Sequence, residues 1–570
     1  MHLKRAIFAV VLSVWAGNVV AEADAGAYLA ARQAGYDTDF AAAAENYQRA
    51  LAGDPTNPRL LDAAAMATLS LGRFEAALAL SERFAATGGR SQGPQMVLLA
   101  DAVKRGDWAA VAARATGDTG VGPLVDGLVG AWAKLGAGDV AAALAAFDAL
   151  VAQDGLAAFA LYHKSLALAS VGDFEAAEAA LADDRAAPLR MTRRAVMAQA
   201  EMLSQLDRGP EAAAQFAELF GDDLDPGLRV MQAALVAGEK LPFTHVRDAR
   251  DGVAEVFFTV GAALNGEAGD DYTLIYARIA EVLRPDHVDA LLLAARLLDG
   301  LGLFDLSVET YHKVPAGHPS FHAAELGRAE ALRRAEKPEA AIEVLQALTR
   351  SHGDLPVVHV SLGDLLRQEE KFAEAVVAYD RALALYDAPK EDQWFIYYAR
   401  AICHERLGAW DKAEPDFRKA LELRPDQPQV LNYLGYSLVE KQEKLDEALA
   451  MIERAVAAQP EAGYILDSLG WALYRLGRYA EAVDPMERAA ELMPVDPVVN
   501  DHLGDVLWAV GRRLEAEFHW KRALSFVDLK DASGEADPVR IRRKLEVGLD
   551  QVLSDEGAPP LKVVDDKTAN

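Results

Sequence analysis

Three histidines, His312, His318 and His322, fall within eleven residues of one another, a spacing that invites a metal reading. They lie at a helix end, in a loop and at the next helix start, with no Cys nearby. Metal ligation needs side chains that converge on one point. The acidic pairs Asp183-Asp184 and Asp270-Asp271 offer carboxylates, but both stand in connections, where solvated carboxylates are the ordinary arrangement. No His-Glu-x-x-His, nucleophile elbow, phosphate-cradling loop or Gly-x-Gly-x-x-Gly occurs. The expectation is therefore no catalytic residue, no cofactor and no metal. What remains is a series of aromatic and polar side chains: Tyr398, Asn432, Tyr436, Tyr464, Asp467, Trp471, Tyr474, Arg475, Asp505 and Trp508. Rigid rings interleaved with a few orienting polar groups are what a protein-binding surface uses. The alternative is that the rings bury against neighbouring helices. Binding is favoured because Ala alone suffices for packing at many equivalent positions upstream.

The elements that position these residues are read from a period. Leu469-Gly470, Leu473, Gly477, Ala482 and Ala489 recur 34 residues on at Leu503-Gly504, Leu507, Gly511, Ala516 and Ala523. A small residue at the start of each second helix runs through Ala43, Ala77, Val111, Ala143, Ala177 and Ala213. It continues through Thr273, Ser307, Ala341, Ala375, Ala413, Ala448, Ala482 and Ala516. Two antiparallel helices approach closely only where the crossing residues are small. Gly marks many turns, and Pro follows the second helix at Pro55, Pro285, Pro425, Pro460 and Pro494. This skeleton resembles the tetratricopeptide repeat (TPR). The resemblance implies an all-α, right-handed α-solenoid of fourteen or fifteen helix-turn-helix units, winding through roughly two superhelical turns. In such a unit the first helix lines the concave face, which places the ten residues above in a groove.

Units start near 24, 58, 92, 124, 158 and 194, then near 254, 288, 322, 356, 394, 428, 463 and 497. Residues 228–253 are irregular and read as a seam between an N-terminal arm (24–227) and a C-terminal arm (254–528), each expected to fold alone. Asp387 to Gln393 lengthens one connection. A linker and a capping helix follow over 529–553, and 554–570 reads as a disordered tail.

Formal charge is −29, which repels phosphate backbones and anionic lipid, so neither nucleic acid nor a membrane surface is expected as a partner. Lys4 and Arg5 precede an apolar stretch from Ala6 to Ala16, far too short to span a bilayer. Val19-Val20-Ala21 then fits a signal peptidase site. Cleavage after Ala21 and a soluble periplasmic product are expected, without a lipid anchor because no Cys stands near the cleavage point. Cys403 is the only cysteine, so no internal disulfide forms and the buried thiol is structural.

The segment Leu431-Asn432-Tyr433-Leu434-Gly435-Tyr436-Ser437-Leu438 is followed by Leu466 to Gly477 and by His502-Leu503-Gly504-Asp505-Val506-Leu507-Trp508. With Asp251 to Phe258, this series is similar to long TPR proteins of the proteobacterial envelope that include the lipoprotein partner of a carboxyl-terminal processing protease. That resemblance implies a solenoid that curls around a protease and delivers substrates, often peptidoglycan hydrolases. Those adaptors are lipoproteins, whereas this chain lacks the lipidated Cys. The expected function is a non-catalytic periplasmic adaptor. A structural TPR component of an envelope assembly, for polysaccharide export or pilus and secretin biogenesis, is the alternative. Oligomeric state and the partner's identity stay open.

Overall fold

A computed structural model describes residues 25–116, 119–221, 224–527 and 536–561. The expected leader, most of the linker at 529–537 and the part of the expected 554–570 tail beyond 561 lie outside these residues; Ser554 and Asp555, expected in that tail, instead end a helix. The chain divides into two compact units, Met1–Leu348 and Thr349–Asn570. Every regular element among the described residues is a helix, and none is a β-strand.

Unit 1 opens with α1 (Ala25–Tyr36), α2 (Phe40–Gly53), α3 (Pro58–Ser70), α4 (Phe74–Ala86) and α5 (Gln92–Lys104). It continues with α6 (Trp108–Arg114), α7 (Pro123–Gly136), α8 (Val140–Val151), α9 (Ala157–Ser170) and α10 (Phe174–Ala182). Then come α11 (Ala187–Arg190), α12 (Arg193–Gln205), α13 (Gly209–Phe220), α14 (Pro226–Val236) and α15 (Ala249–Leu264). It ends with α16 (Asp270–Leu283), α17 (Val288–Gly300), α18 (Phe304–Tyr311), α19 (Phe321–Arg334) and α20 (Pro338–Ser351), the last crossing the division.

Unit 2 holds α21 (Pro356–Gln368), α22 (Phe372–Leu383), α23 (Trp394–Arg406) and α24 (Trp410–Leu423). It continues through α25 (Pro428–Glu440), α26 (Leu445–Ala458), α27 (Gly463–Arg475) and α28 (Tyr479–Leu492). It closes with α29 (Pro497–Ala509), α30 (Arg513–Phe526), α31 (Pro538–Val547) and α32 (Leu549–Asp555).

Local chemistry sets these boundaries. Asp39, Asp107, Asp139 and Asp173 each accept the backbone N–H three residues on and so start a second helix. Asn57-Pro58, Asp225-Pro226, Asp496-Pro497 and Asp537-Pro538 start helices with a side-chain cap followed by a proline that has no N–H to leave unpaired. Between paired helices the chain makes a left-handed turn closed by a six-residue backbone bond, such as Arg73 N to Thr68 O at 3.2 Å and Arg478 N to Leu473 O at 2.9 Å. Gly72 and Gly477 take φ of 74° and 75° there. Glu336 and Glu370 fill the same place with φ of 58° and 56°. A side chain is strained in that region by about 1 kcal/mol, partly offset by the lower chain entropy of a non-glycine residue. Glu336→Gly and Glu370→Gly are each expected to leave stability unchanged or raise it by up to about 1 kcal/mol, measured by urea unfolding.

The fourteen small residues that carry the period are all buried, Ala213 being the most exposed at 9%. They sit where paired helices cross, and Ser307 satisfies its hydroxyl on Ala295 O at 2.9 Å. Cys403 is buried as expected, and burial pushes its thiol up to about 11.

The seam is not a domain boundary. The chain between Val236 and Ala249 is non-helical, but the helices after it pack back onto the first arm. Helix α15 lies on α7, and α16 lies on α3 and α5. Trp132, fully buried, rests against Gly252, where a Cβ would stand 2.3 Å from the indole. Arg278 reaches the end of α3 at Ser70 O, 3.3 Å away, and Thr38 donates to Leu301 O at 3.2 Å. One apolar core runs from Leu69 through Trp132, Phe147 and Leu166 to Val253, Phe257 and Ile279. A polar knot pins the closure. Glu255 is wholly buried and receives Arg194 Nη2 at 2.6 Å, Tyr162 Oη at 2.9 Å and His287 Nε2 at 3.0 Å. The Ala290 N–H donates to His287 Nδ1, which leaves Nε2 as the protonated nitrogen facing Glu255. The expectation that 24–227 and 254–528 fold as separate arms is therefore corrected: the repeats from 249 to 300 complete the core of those before the seam.

In unit 2 a core from Ala401 to Leu549 runs along the repeats and into the C-terminal cap. The cap expected as one helix is two, α31 and α32, broken at Gly548 with φ of 82° beneath the Trp508 ring. The lengthened connection at 387–393 contains a 3-10 turn, Glu391–Gln393.

Candidate protein-binding groove

The first helices of four successive repeats, α23, α25, α27 and α29, line a groove of about 420 Å³ in unit 2. Its walls carry Glu405 and Arg406 from α23, and Asn432, Tyr433, Tyr436 and Glu440 from α25. Tyr464 and Asp467 come from α27, with Met493, Asp496 and Val499 at the far side. Tyr464 is 44% exposed and opens its ring to the groove.

Of the ten residues expected to face a groove, Asn432, Tyr436, Tyr464 and Asp467 do so together. Trp471 stands at its edge, stacked on His502 at 4.0 Å and on Tyr474 at 4.9 Å, with its Nε1–H on Glu440 at 2.6 Å. Arg475 completes that cluster by pairing with Glu440 at 3.0 Å. Tyr474 is buried against Tyr479 and is a packing residue. Tyr398 packs on Phe417 and Tyr433, and burial pushes its hydroxyl up to about 12.

Asp505 and Trp508 are corrected. Asp505 is buried, accepting Trp520 Nε1–H at 2.9 Å and Lys544 Nζ at 2.6 Å. Trp508 donates to Asp550 at 3.0 Å. Both are covered by α31 and α32, so they hold the cap and face no groove. Asp496 and Val499 were not foreseen because they belong to a helix start, outside the helix positions that the period assigns to the groove.

Asp467 accepts from His502 Nδ1 at 3.1 Å beneath Trp471. Burial alone would drive the His502 pKa down, but Asp467, Asp501 and Asp505 outweigh it and hold it above the usual value. The protonated ring is favoured in the fold, so its contribution is complete below about pH 6.5 and is lost as pH rises through the raised value. In unit 1 the sign reverses. Burial lowers His163 to about 4 and also lowers His287, so the closure loses stability as pH falls from about 6.5 toward 4. Hydrogen exchange, corrected for intrinsic pH dependence, should show falling protection around 163, 259 and 287 on acidification, with 467 and 502 holding. Equal responses in the two units would contradict these assignments.

Among the described residues no group of three His, Cys, Asp or Glu is arranged to hold a metal, and no helix is long and apolar enough to cross a membrane. His318 Nδ1 accepts the Ser320 N–H at 3.1 Å, a local loop contact.

One tetratricopeptide-repeat family model matches residues 128–190, 292–356 and 434–497, and a second matches 394–427. The chain contains TPRs in these segments. A TPR repeat-containing protein of Pseudomonas aeruginosa is 27% identical over 180 residues, 31% of this chain and 29% of that protein. This chain thus spans less than a third of that relative's length. Among solved structures, the APC/C hetero-tetramer Cut9-Hcn1 aligns over 91% of this chain and 95% of its own at 15% identity, with a TM-score of 0.38. A tetratricopeptide repeat protein from Parabacteroides merdae covers 51% of this chain and 97% of its own at 15% identity and a TM-score of 0.35. MamA covers 30% and 96% at 27% identity and a TM-score of 0.26. The fold is an all-α TPR solenoid, an architecture whose stacked first helices form extended binding surfaces for other proteins.

Proposed function

We propose that this TPR protein is a non-catalytic scaffold that holds other proteins in the groove of α25, α27 and α29. The observation that carries the reading is the open groove itself, where Tyr436 and Tyr464 stand beside the acceptor-rich wall of Asn432 and Asp467. Rings that line an open groove offer anchor area at low entropic cost. TPR arrays generally work as scaffolds, which supports a role without chemistry of its own.

The finer reading is an exported periplasmic adaptor that presents envelope substrates to a carboxyl-terminal processing protease. It rests on the leader-like residues 4–21 and on the resemblance of 251–258 and 431–508 to envelope TPR adaptors. The test is to isolate the chain from its own cell envelope under mild crosslinking and identify what accompanies it by mass spectrometry. A processing protease or cell-wall hydrolases, lost on Tyr436→Ala plus Tyr464→Ala, is the expected result. Secretin, export or pilus components in their place would move the assignment to an envelope assembly. An unchanged set in the double variant would remove the groove from the reading.

A further inference from the structure

The groove offers more hydrogen-bond acceptors than donors. Asn432 is only 9% exposed, and its Oδ1 has no hydrogen-bond partner among the described residues. Such an acceptor is tolerated where a ligand donor can satisfy it. Asp496 accepts the N–H groups of Val498 and Val499 at 2.9 and 3.0 Å, and no cation pairs with it among the described residues. Glu405 accepts Tyr433 Oη at 3.4 Å, and its nearest cation, Arg406, stands at 4.0 Å. The other two lining carboxylates are matched, Glu440 by Arg475 and Asp467 by His502. Of the lining cations, Lys441 is held over the Trp410 ring at 4.9 Å.

We propose that the groove takes an extended basic segment of a partner protein, with a Lys or Arg directed at Asp496 and Glu405, a donor on Asn432, and a bulky apolar side chain against Tyr436 and Tyr464. The proposal rests on the protein-binding reading above and adds the chemistry of the occupant. Electrostatic complementarity of this kind sets which partner is accepted and how fast it arrives. A segment ending in a free carboxylate would meet the carboxylates of Asp496 and Glu405 and is rejected.

The test pans a phage-displayed random dodecapeptide library against the mature chain. Selected peptides are then measured as fluorescein-labelled synthetic amides by anisotropy. The selected sequences are expected to place Lys or Arg beside a bulky apolar residue. Affinity should fall about tenfold or more in Glu405→Gln plus Asp496→Asn, a pair that keeps the helix cap because Asn caps as well as Asp. Asn432→Leu should also lose binding without a lower Tm, since it removes an acceptor that the free fold leaves unpaired. Acidic selected sequences, or a requirement for a free C-terminal carboxylate, would overturn the proposal and leave the protein-binding reading standing. Binding indifferent to these variants and to Tyr436→Ala plus Tyr464→Ala, or an empty selection, would sink both.

Discussion

Replacing Glu255 with Ala is expected to destabilise unit 1 by about 3–5 kcal/mol, the range for breaking a buried ion pair from one side. Glu255 is fully buried on α15 and holds three groups: Tyr162 on α9, Arg194 on α12 and His287, the residue that caps the start of α17. Burial would raise its pKa, but Arg194 and His287 outweigh that cost and keep the carboxyl well below its usual range. Removing it leaves the largely buried Arg194 guanidinium with Asp289, at 2.7 Å, as its remaining carboxylate partner. Urea unfolding followed by peptide-resolved hydrogen exchange assigns the loss to unit 1. Glu255→Leu with Arg194→Met removes both charges and should recover most of the loss. A cost below about 1 kcal/mol for Glu255→Ala would mean that the knot does not pin the closure. The same contacts predict that a fragment beginning at residue 254 exposes α15 and α16 and loses compact structure.

Lys544→Met is expected to cost unit 2 about 3–5 kcal/mol at neutral pH. The Lys544 side chain is wholly buried on α31, with Nζ 2.9 Å from Asp501 and 2.6 Å from Asp505. Burial raises the Asp501 pKa, Lys544 opposes the rise and Asp505 adds to it. Without the ammonium two carboxylates face each other in the interior. The penalty should shrink on acidification, because protonation removes the repulsion and a raised carboxyl takes up its proton above the pH at which the unfolded chain does. Thermal unfolding of the variant from neutral to mildly acidic pH reads this directly. A loss that does not change with pH would place the effect in packing over Trp520, which lies 5.7 Å from Nζ. Trp508→Ala belongs with this cap and should lower stability without touching groove binding.

The helical pairs were legible because close crossing demands small residues at a fixed place, and all fourteen such positions are buried. Turns were legible where Gly stands, less so at Glu336, Glu370 and Gln442, which take the same conformation without the marker. The closure of unit 1 was not. A period reports which neighbour each repeat stacks on, whereas Arg278 meets Ser70 across 208 residues of sequence. The groove was half legible for a related reason. Asn432, Tyr436, Tyr464 and Asp467 follow from helix position, but what covers Asp505 and Trp508 comes from α31 and α32, outside the repeat pattern.

An open stack of repeats can fray from its ends, each unit melting with little effect on those beyond its neighbours. Unit 1 has given up that freedom at its N-terminal side, because α2, α3 and α5 lie against α16 and α17. Its first repeats should therefore exchange and digest with the whole unit in one cooperative step, as in a globular domain. The bond between Thr38 and Leu301 spans 263 residues, so that cooperativity comes with high contact order and slow folding. During synthesis, the N-terminal repeats must wait for residues near 300 before their core is complete, exposing apolar surface that a chaperone would shield.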